Sequence, residues 1–173
     1  MGRYESPSYK TIIKEGKFEI RAYDAFYTTA VKEDQLKGYH GFQKLFGYIS
    51  GKNNSNQKIS MTVPVINDFQ ASHQTMEFVL PKSYENHTPQ PIDQDITIKY
   101  YKEALVAVIK FNGTPNPVSI DQNIIKLSQW ITQKGFLCQE GYRLARYNPP
   151  FIPGFFKKNE ILISLQTEDL TDV

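Results

Sequence analysis

The alternation of apolar and polar positions predicts strands in both halves of the chain. Residues 18–23 alternate strictly, which is typical of a strand with one buried face. Residues 25–32 are β-branched and aromatic and predict a second strand, and residues 9–14 are placed to pair with 18–23 across a turn at 15–17. Further strands are predicted over 58–66, 75–80, 96–101, 105–111, 142–147 and 160–166.

Two segments place apolar residues at the spacing of one helical face. The first stripe comprises Phe42, Leu45, Phe46 and Ile49, and the second comprises Ile120, Ile124, Leu127 and Ile131. Gly51 and Gly135 follow the stripes, where glycine favours the end of a helix. Ser119 and Gln122 predict a capping box at the start of the second helix.

The predicted elements follow the order strand–strand–helix–strand–strand, and this order occurs twice. We therefore predict an α+β fold: a pseudo-twofold repeat of two ββαββ units, with the strands in a distorted antiparallel β-barrel or sheet and two helices packed across it. The connection over 81–95 is short enough to join two halves of one domain. The expected boundaries are a flexible N-terminal arm (1–8), a single domain (9–166) and a polar C-terminal tail (167–173).

Composition narrows the classes of protein. The 20 basic and 18 acidic side chains are nearly balanced and dispersed, so charge gives no reason to predict nucleic-acid binding. Cys138 is the single cysteine, which excludes a disulfide within the chain. With no apolar run near 18 residues and no apolar N-terminal segment, neither a membrane span nor a signal peptide is predicted. We expect a cytoplasmic monomer.

Five segments in the same order resemble the SOUL haem-binding family. They are 42–53 (FQKLFGYISGKN), 58–65 (KISMTVPV), 78–81 (FVLP), 145–150 (ARYNPP) and 158–160 (KNE). The resemblance covers about residues 9–166 and implies a fold shared with effector-binding domains, reversible binding of haem or another tetrapyrrole, and no catalytic activity. Lys157 and Lys158 stand where the family commonly has arginines, which keeps the charge and loses the bidentate geometry.

A tetrapyrrole of this kind requires an apolar face and basic groups that meet its carboxylates. From the motif positions and residue types, we predict that the apolar face comprises Leu45, Tyr48, Met61, Val63, Leu80 and Tyr147, with Phe155 and Phe156 as one jaw. The predicted basic rim comprises Lys58, Lys157 and Lys158. The competing interpretation is that Leu45, Val63 and Leu80 belong to the core and that the lysines are solvated surface residues.

Other chemistry has little support in the sequence. His40, His73 and His87 fall in predicted loops or at a helix start without the spacing of a metal pair, so His40 is a weak axial candidate. No nucleophile motif or phosphate loop predicts an enzyme. Two alternatives stay open. One is a binding domain for another small apolar or cationic molecule, which a buried Glu in the groove favours. The other is a protein-interaction module that uses the aromatic loop 151–156.

Overall fold

The computed structural model describes residues 3–34, 36, 38–148 and 152–167. Within these residues the strands are β1 Tyr9–Glu15, β2 Phe18–Tyr23, β3 Phe26–Lys32, β4 Val65–Phe69, β5 Gln74–Val79, β6 Thr97–Tyr101, β7 Ala104–Asn112, β8 Tyr142–Arg146 and β9 Lys158–Ser164. The α-helices are α1 Tyr39–Ile49 and α2 Pro117–Gln133, and short 3-10 turns cover Lys82–Tyr84 and Gly154–Phe156.

All nine strands form one curled antiparallel sheet in the order β1-β2-β7-β9-β8-β4-β5-β3-β6. The predicted α+β class is therefore confirmed. The order strand–strand–helix–strand–strand is present over β2–β5 and again over β6–β9, and β1 is an additional edge strand. When each strand of β2–β5 is exchanged for the corresponding strand of β6–β9, the order of these eight strands is the same, read from the opposite edge of the sheet. The β4–β8 pair lies at the centre of this order.

Both helices lie on one face of the sheet, where they bury two apolar clusters. Helix α1 packs on β3 and β5, and α2 packs on β7 and β9. The cluster beneath α1 includes Leu45, Tyr48, Met76, Phe78 and Leu80. The cluster beneath α2 includes Ile109, Leu127, Trp130, Ile131 and Ile161. A third cluster, which includes Phe26, Val106, Val108 and Leu162, lies on the concave face that the helices leave uncovered.

The predicted strand over 58–66 is wrong for most of its length, because β4 begins only at Val65. Pro64 has no N–H to donate to a ladder, so a strand cannot continue regularly through it. Before it, Thr62 forms only an isolated parallel bridge with Glu5.

The predicted capping box of α2 is shifted by three residues. The cap is Asn116, whose side chain accepts from the backbone N–H of Ser119 at 2.9 Å, so Ser119 is the third residue of the helix. Pro117 occupies the first turn, where its missing N–H has no cost. The end of α1 agrees with the prediction: Gly51 follows the helix with a φ of 123°, a conformation that favours glycine.

Candidate functional site

A cavity of about 430 Å³ opens on the concave face of the sheet. This volume lies within the range of small-molecule sites. Its apolar walls include Tyr9, Tyr23, Phe26, Ile66, Tyr147 and Leu162, and its charged residues are Arg21, Lys110, Arg143, Lys158 and Glu160. The walls therefore combine aromatic rings with four basic groups and one carboxylate.

The register of the central strands places these side chains together. Ile66 pairs with Ala145, and Ala145 pairs with Glu160, so the three side chains lie on the same face in one row. Because side chains alternate along a strand, Arg143 and Tyr147 share this concave face with Ala145. All five residues line the cavity.

A buried ionic network lies at one side of the cavity around Arg21, whose exposed fraction is 1%. Its guanidinium donates to both carboxylate oxygens of Glu160, at 3.0 and 2.6 Å. Its Nε donates to Glu19 at 2.7 Å, and it also donates to the Tyr23 hydroxyl at 2.9 Å. The hydroxyl of Tyr147 donates to Glu160. This bidentate geometry is the strong form of a carboxylate–guanidinium contact, and it compensates the charge of Glu160.

These contacts determine the charge states of the network. Burial is the largest single effect and disfavours the charged form of Arg21, but the hydrogen bonds and charges of Glu160 and Tyr23 together outweigh burial and raise the pKa of the guanidinium. Burial raises the pKa of Tyr23 to about 12. Burial, followed by the charge of Glu160, also raises the pKa of Tyr147. At neutral pH the arginine is therefore charged and both phenols are protonated.

A second polar cluster lies further along the same face, around the fully buried Glu77. Glu77 pairs with Ile66, so it extends the row that ends at Glu160. Its carboxylate accepts from Tyr101 at 2.8 Å and from Lys99 at 3.1 Å, and Lys99 also donates to Asp68 at 2.6 Å. Each end of the row thus has a buried carboxylate held by a cation and a tyrosine.

The N-terminal segment borders the cavity through Ser6, Pro7 and Tyr9. The carbonyl of Glu5 accepts from the Val63 N–H at 3.0 Å, and its carboxylate accepts from the Lys82 N–H at 2.8 Å. The Tyr9 ring lies 4.2 Å from the Arg21 guanidinium. The flexibility that we expect for residues 1–8 stays a prediction.

The predicted ligand residues fall in several places. Tyr147 and Lys158 line the cavity. Leu45, Tyr48 and Leu80 lie in the core beneath α1 with at most 5% exposed. Met61, Val63 and Lys157 are half-buried, and Lys58, Phe155 and Phe156 are exposed. His40 is exposed on the first turn of α1. Phe151 lies outside the described residues. The structure thus does not gather the predicted set into one groove, and its role in binding stays a prediction.

Sequence reasoning missed the ionic network. Glu19, Arg21 and Tyr23 alternate with Phe18 and Ile20 along β2, so the pattern predicts a solvent-facing polar side. The sheet curls over that side, which leaves Glu19 3% exposed. The available signal was an arginine between an acid and a tyrosine on a single strand face.

Sequence comparisons match this chain to proteins that are described as heme-binding proteins. Residues 4–164 match the profile of a family described as SOUL heme-binding protein. Heme-binding protein 2 of Homo sapiens is 28% identical over 165 residues, which covers 88% of this chain and 80% of that protein. Heme-binding protein 1 of Xenopus laevis is 25% identical over 176 residues, which covers 93% of this chain and 92% of that protein.

Solved structures share the fold at low sequence identity. The EcmrR C-terminal domain superposes with a TM-score of 0.61 at 12% identity, covering 92% of this chain and 99% of that domain. A hydrolase from Listeria innocua gives a TM-score of 0.63 at 11% identity, covering 90% and 94%. These likenesses concern the fold alone. Among the described residues, neither a helix suited to crossing a membrane nor a metal-binding group of three His, Cys, Asp or Glu residues is found.

Proposed function

This chain belongs to the SOUL heme-binding protein family, and we propose that it binds haem or another tetrapyrrole reversibly and without catalysis, in the concave cavity. The observation that carries the proposal is the composition of the cavity wall. Aromatic rings adjoin four basic side chains, Arg21, Lys110, Arg143 and Lys158, and one carboxylate, Glu160. This excess of cations suits an apolar ligand that carries acidic groups.

The residues present fit the two parts of such a ligand. The rings of Tyr23, Phe26 and Tyr147 offer apolar surface to a flat macrocycle. Lys110 and Lys158 line the cavity and are also exposed, so their ammonium groups are accessible to carboxylates at the edge of the ring. Arg21 already donates its hydrogen bonds to Glu160 and Glu19, so we assign it a structural role in the cavity wall and not a contact with the ligand.

Contacts with the macrocycle, rather than with its iron, are proposed to supply the affinity. Haem brings an iron that takes axial ligands from histidine, cysteine, methionine or tyrosine side chains. The described residues that line the cavity include no histidine, cysteine or methionine. The Tyr23 and Tyr147 phenols are protonated and hydrogen-bonded, which disfavours them as phenolate ligands.

A second candidate function is binding of a small cationic molecule, which the buried Glu160 in the cavity wall favours. Arg21 already compensates this carboxylate through two hydrogen bonds. A cationic ligand would therefore meet a neutral pair beside three further basic groups. The charge balance favours an acidic ligand, and a titration with each class separates the two functions.

Haemin titration followed by the Soret band tests the proposal. We expect a shifted band that saturates near one equivalent, and roughly tenfold weaker binding for the Lys110→Glu/Lys158→Glu double variant, because contacts with charged partners contribute about 1.5 kcal/mol or more. The control is Lys126→Glu, an exposed lysine on α2. A spectrum of free haemin at micromolar protein would refute haem binding by this chain.

Two further variants locate the ligand. His40→Ala is expected to leave the affinity unchanged, because His40 is exposed on α1 and does not line the cavity. If Met61→Ala and Lys157→Ala weaken binding while Lys110→Glu/Lys158→Glu does not, the ligand contacts the residues that the sequence analysis predicted outside the cavity, and the cavity assignment is wrong.

A further inference from the structure

On the helix-covered face of the sheet, the two central strands lie between the helices. Helix α1 packs on β3 and β5 and α2 packs on β7 and β9, so the central strands β4 and β8 lie between them. Val65 pairs with Arg146, and Asn67 pairs with Leu144, so these four side chains form one surface on that face. We call these four residues the interhelical floor. The concave cavity lies on the other side of the sheet.

Arg146 is the cation of this floor, and it has no hydrogen-bond or ion-pair partner among the residues that the structure describes. Its Nε is buried and has no hydrogen-bond partner among the described residues, and no carboxylate of those residues lies within 4 Å of its guanidinium. Burial lowers the pKa of Arg146. The contrast with Arg21 is large, because Arg21 is held by two carboxylates and a tyrosine on the opposite face.

A second unsatisfied group lies beside the first. Asn67 is only 3% exposed, and its Oδ1 is buried without a donor among the residues that the structure describes. Buried polar groups in native proteins usually have a hydrogen-bond partner, and a buried charge without one is more unfavourable still. Two such groups on one four-residue surface are difficult to explain by folding alone.

We infer that the interhelical floor binds an apolar ligand that carries an anionic oxygen group. The guanidinium of Arg146 donates to two oxygens of a carboxylate, sulfonate or phosphate in the planar fork geometry. Val65, which is half-buried like Arg146, contacts the apolar body of the ligand. Asn67 lies deeper and accepts from a donor of the ligand or from a retained water, while Leu144 is fully buried and supports the floor from the core. This site does not depend on tetrapyrrole binding in the concave cavity.

A pair of fluorescent probes tests this site. One is 8-anilinonaphthalene-1-sulfonate, and the other is N-phenyl-1-naphthylamine, which has the same rings without the sulfonate. For Arg146→Met we expect at least tenfold weaker binding of the sulfonate, because a charge-assisted contact is lost, and unchanged binding of the neutral probe. Arg146→Lys should recover part of the affinity, since it restores charge without the fork. Lys126→Met on α2 is the control.

The stability of the variants separates a ligand site from a structural role. Replacing an uncompensated buried cation by an apolar side chain should leave the free energy of unfolding unchanged or raise it. A strongly destabilised Arg146→Met protein would mean that the arginine has a structural partner, and the inference would be overturned. It would also be overturned if Arg146→Met bound the sulfonate normally, or if only Lys110→Glu/Lys158→Glu in the concave cavity weakened it.

Discussion

The buried contact between Arg21 and Glu160 permits a quantitative test of the fold. Glu160→Gln keeps the shape of the side chain and an acceptor for Tyr147, but it removes the charge that faces Arg21. Breaking one side of a buried ion pair commonly destabilises a protein by about 3–5 kcal/mol. Because Glu19 still contacts Arg21, we expect the lower end, a loss of about 3 kcal/mol. In a domain of this size that loss lowers Tm by roughly 6–12 °C.

Urea unfolding monitored by Trp130 fluorescence and by circular dichroism measures this loss. The midpoint should fall while the m-value stays constant, since the surface exposed on unfolding does not change. The control is Asp95→Asn, which removes the solvent-exposed contact with Lys44 and should leave the urea midpoint nearly unchanged, because exposed ion pairs contribute little to stability. A loss below about 1 kcal/mol for Glu160→Gln would refute the view that this pair is a buried, compensated unit.

Three further predictions concern stability. Burial alone raises the pKa of Glu19, but the hydrogen bonds and charges of Arg21 and Lys110 together outweigh burial and lower this pKa from its usual value of 4.5, so the stabilisation is present above pH 4.5 and is lost as the pH falls below it. Urea unfolding between about pH 3 and pH 6 should therefore show a shallower acid dependence for Glu19→Gln than for wild type. Leu127→Ala should lose about 2–5 kcal/mol in thermal unfolding, because Leu127 is fully buried on the face of α2 that packs on the sheet, and a loss below about 1 kcal/mol would contradict that packing. Asn116→Ala should lose about 1 kcal/mol through its cap, whereas Ser128→Ala within the helix should not.

The strands and helices were largely predictable because their apolar spacing is regular. The stripe that contains Leu45 and Ile49 became α1, and the alternation over 18–23 became β2. Errors arose where tertiary contacts override local pattern. The segment over 58–64 has apolar alternation, yet Pro64 and the bridge from Glu5 to Thr62 keep it outside the regular ladder. Cap positions depend on single hydrogen bonds, and Asn116 was missed for that reason.

The candidate site was harder to predict, because binding surfaces depend on curvature. A strand face that carries Glu19 and Arg21 is expected to meet water, and only the closure of the sheet buries it. A sequence motif also does not indicate whether a residue lies on the cavity face or on the helix-covered face of the sheet. Tyr147 and Lys158 line the cavity, whereas Leu45 lies in the core on the opposite face.

The strand order has a consequence for how the chain reaches its native state. β2, the first strand of the half β2–β5, pairs with β7 of the other half. β6, the first strand of the half β6–β9, pairs with β3. Together with the β4–β8 pair, three of the eight strand pairings join the two halves. Neither half is a self-contained folding unit, and the sheet closes only after distant segments meet. Such non-local topology favours slow, all-or-none folding, and nicking the connection over 81–95 would leave two fragments held together by their ladders.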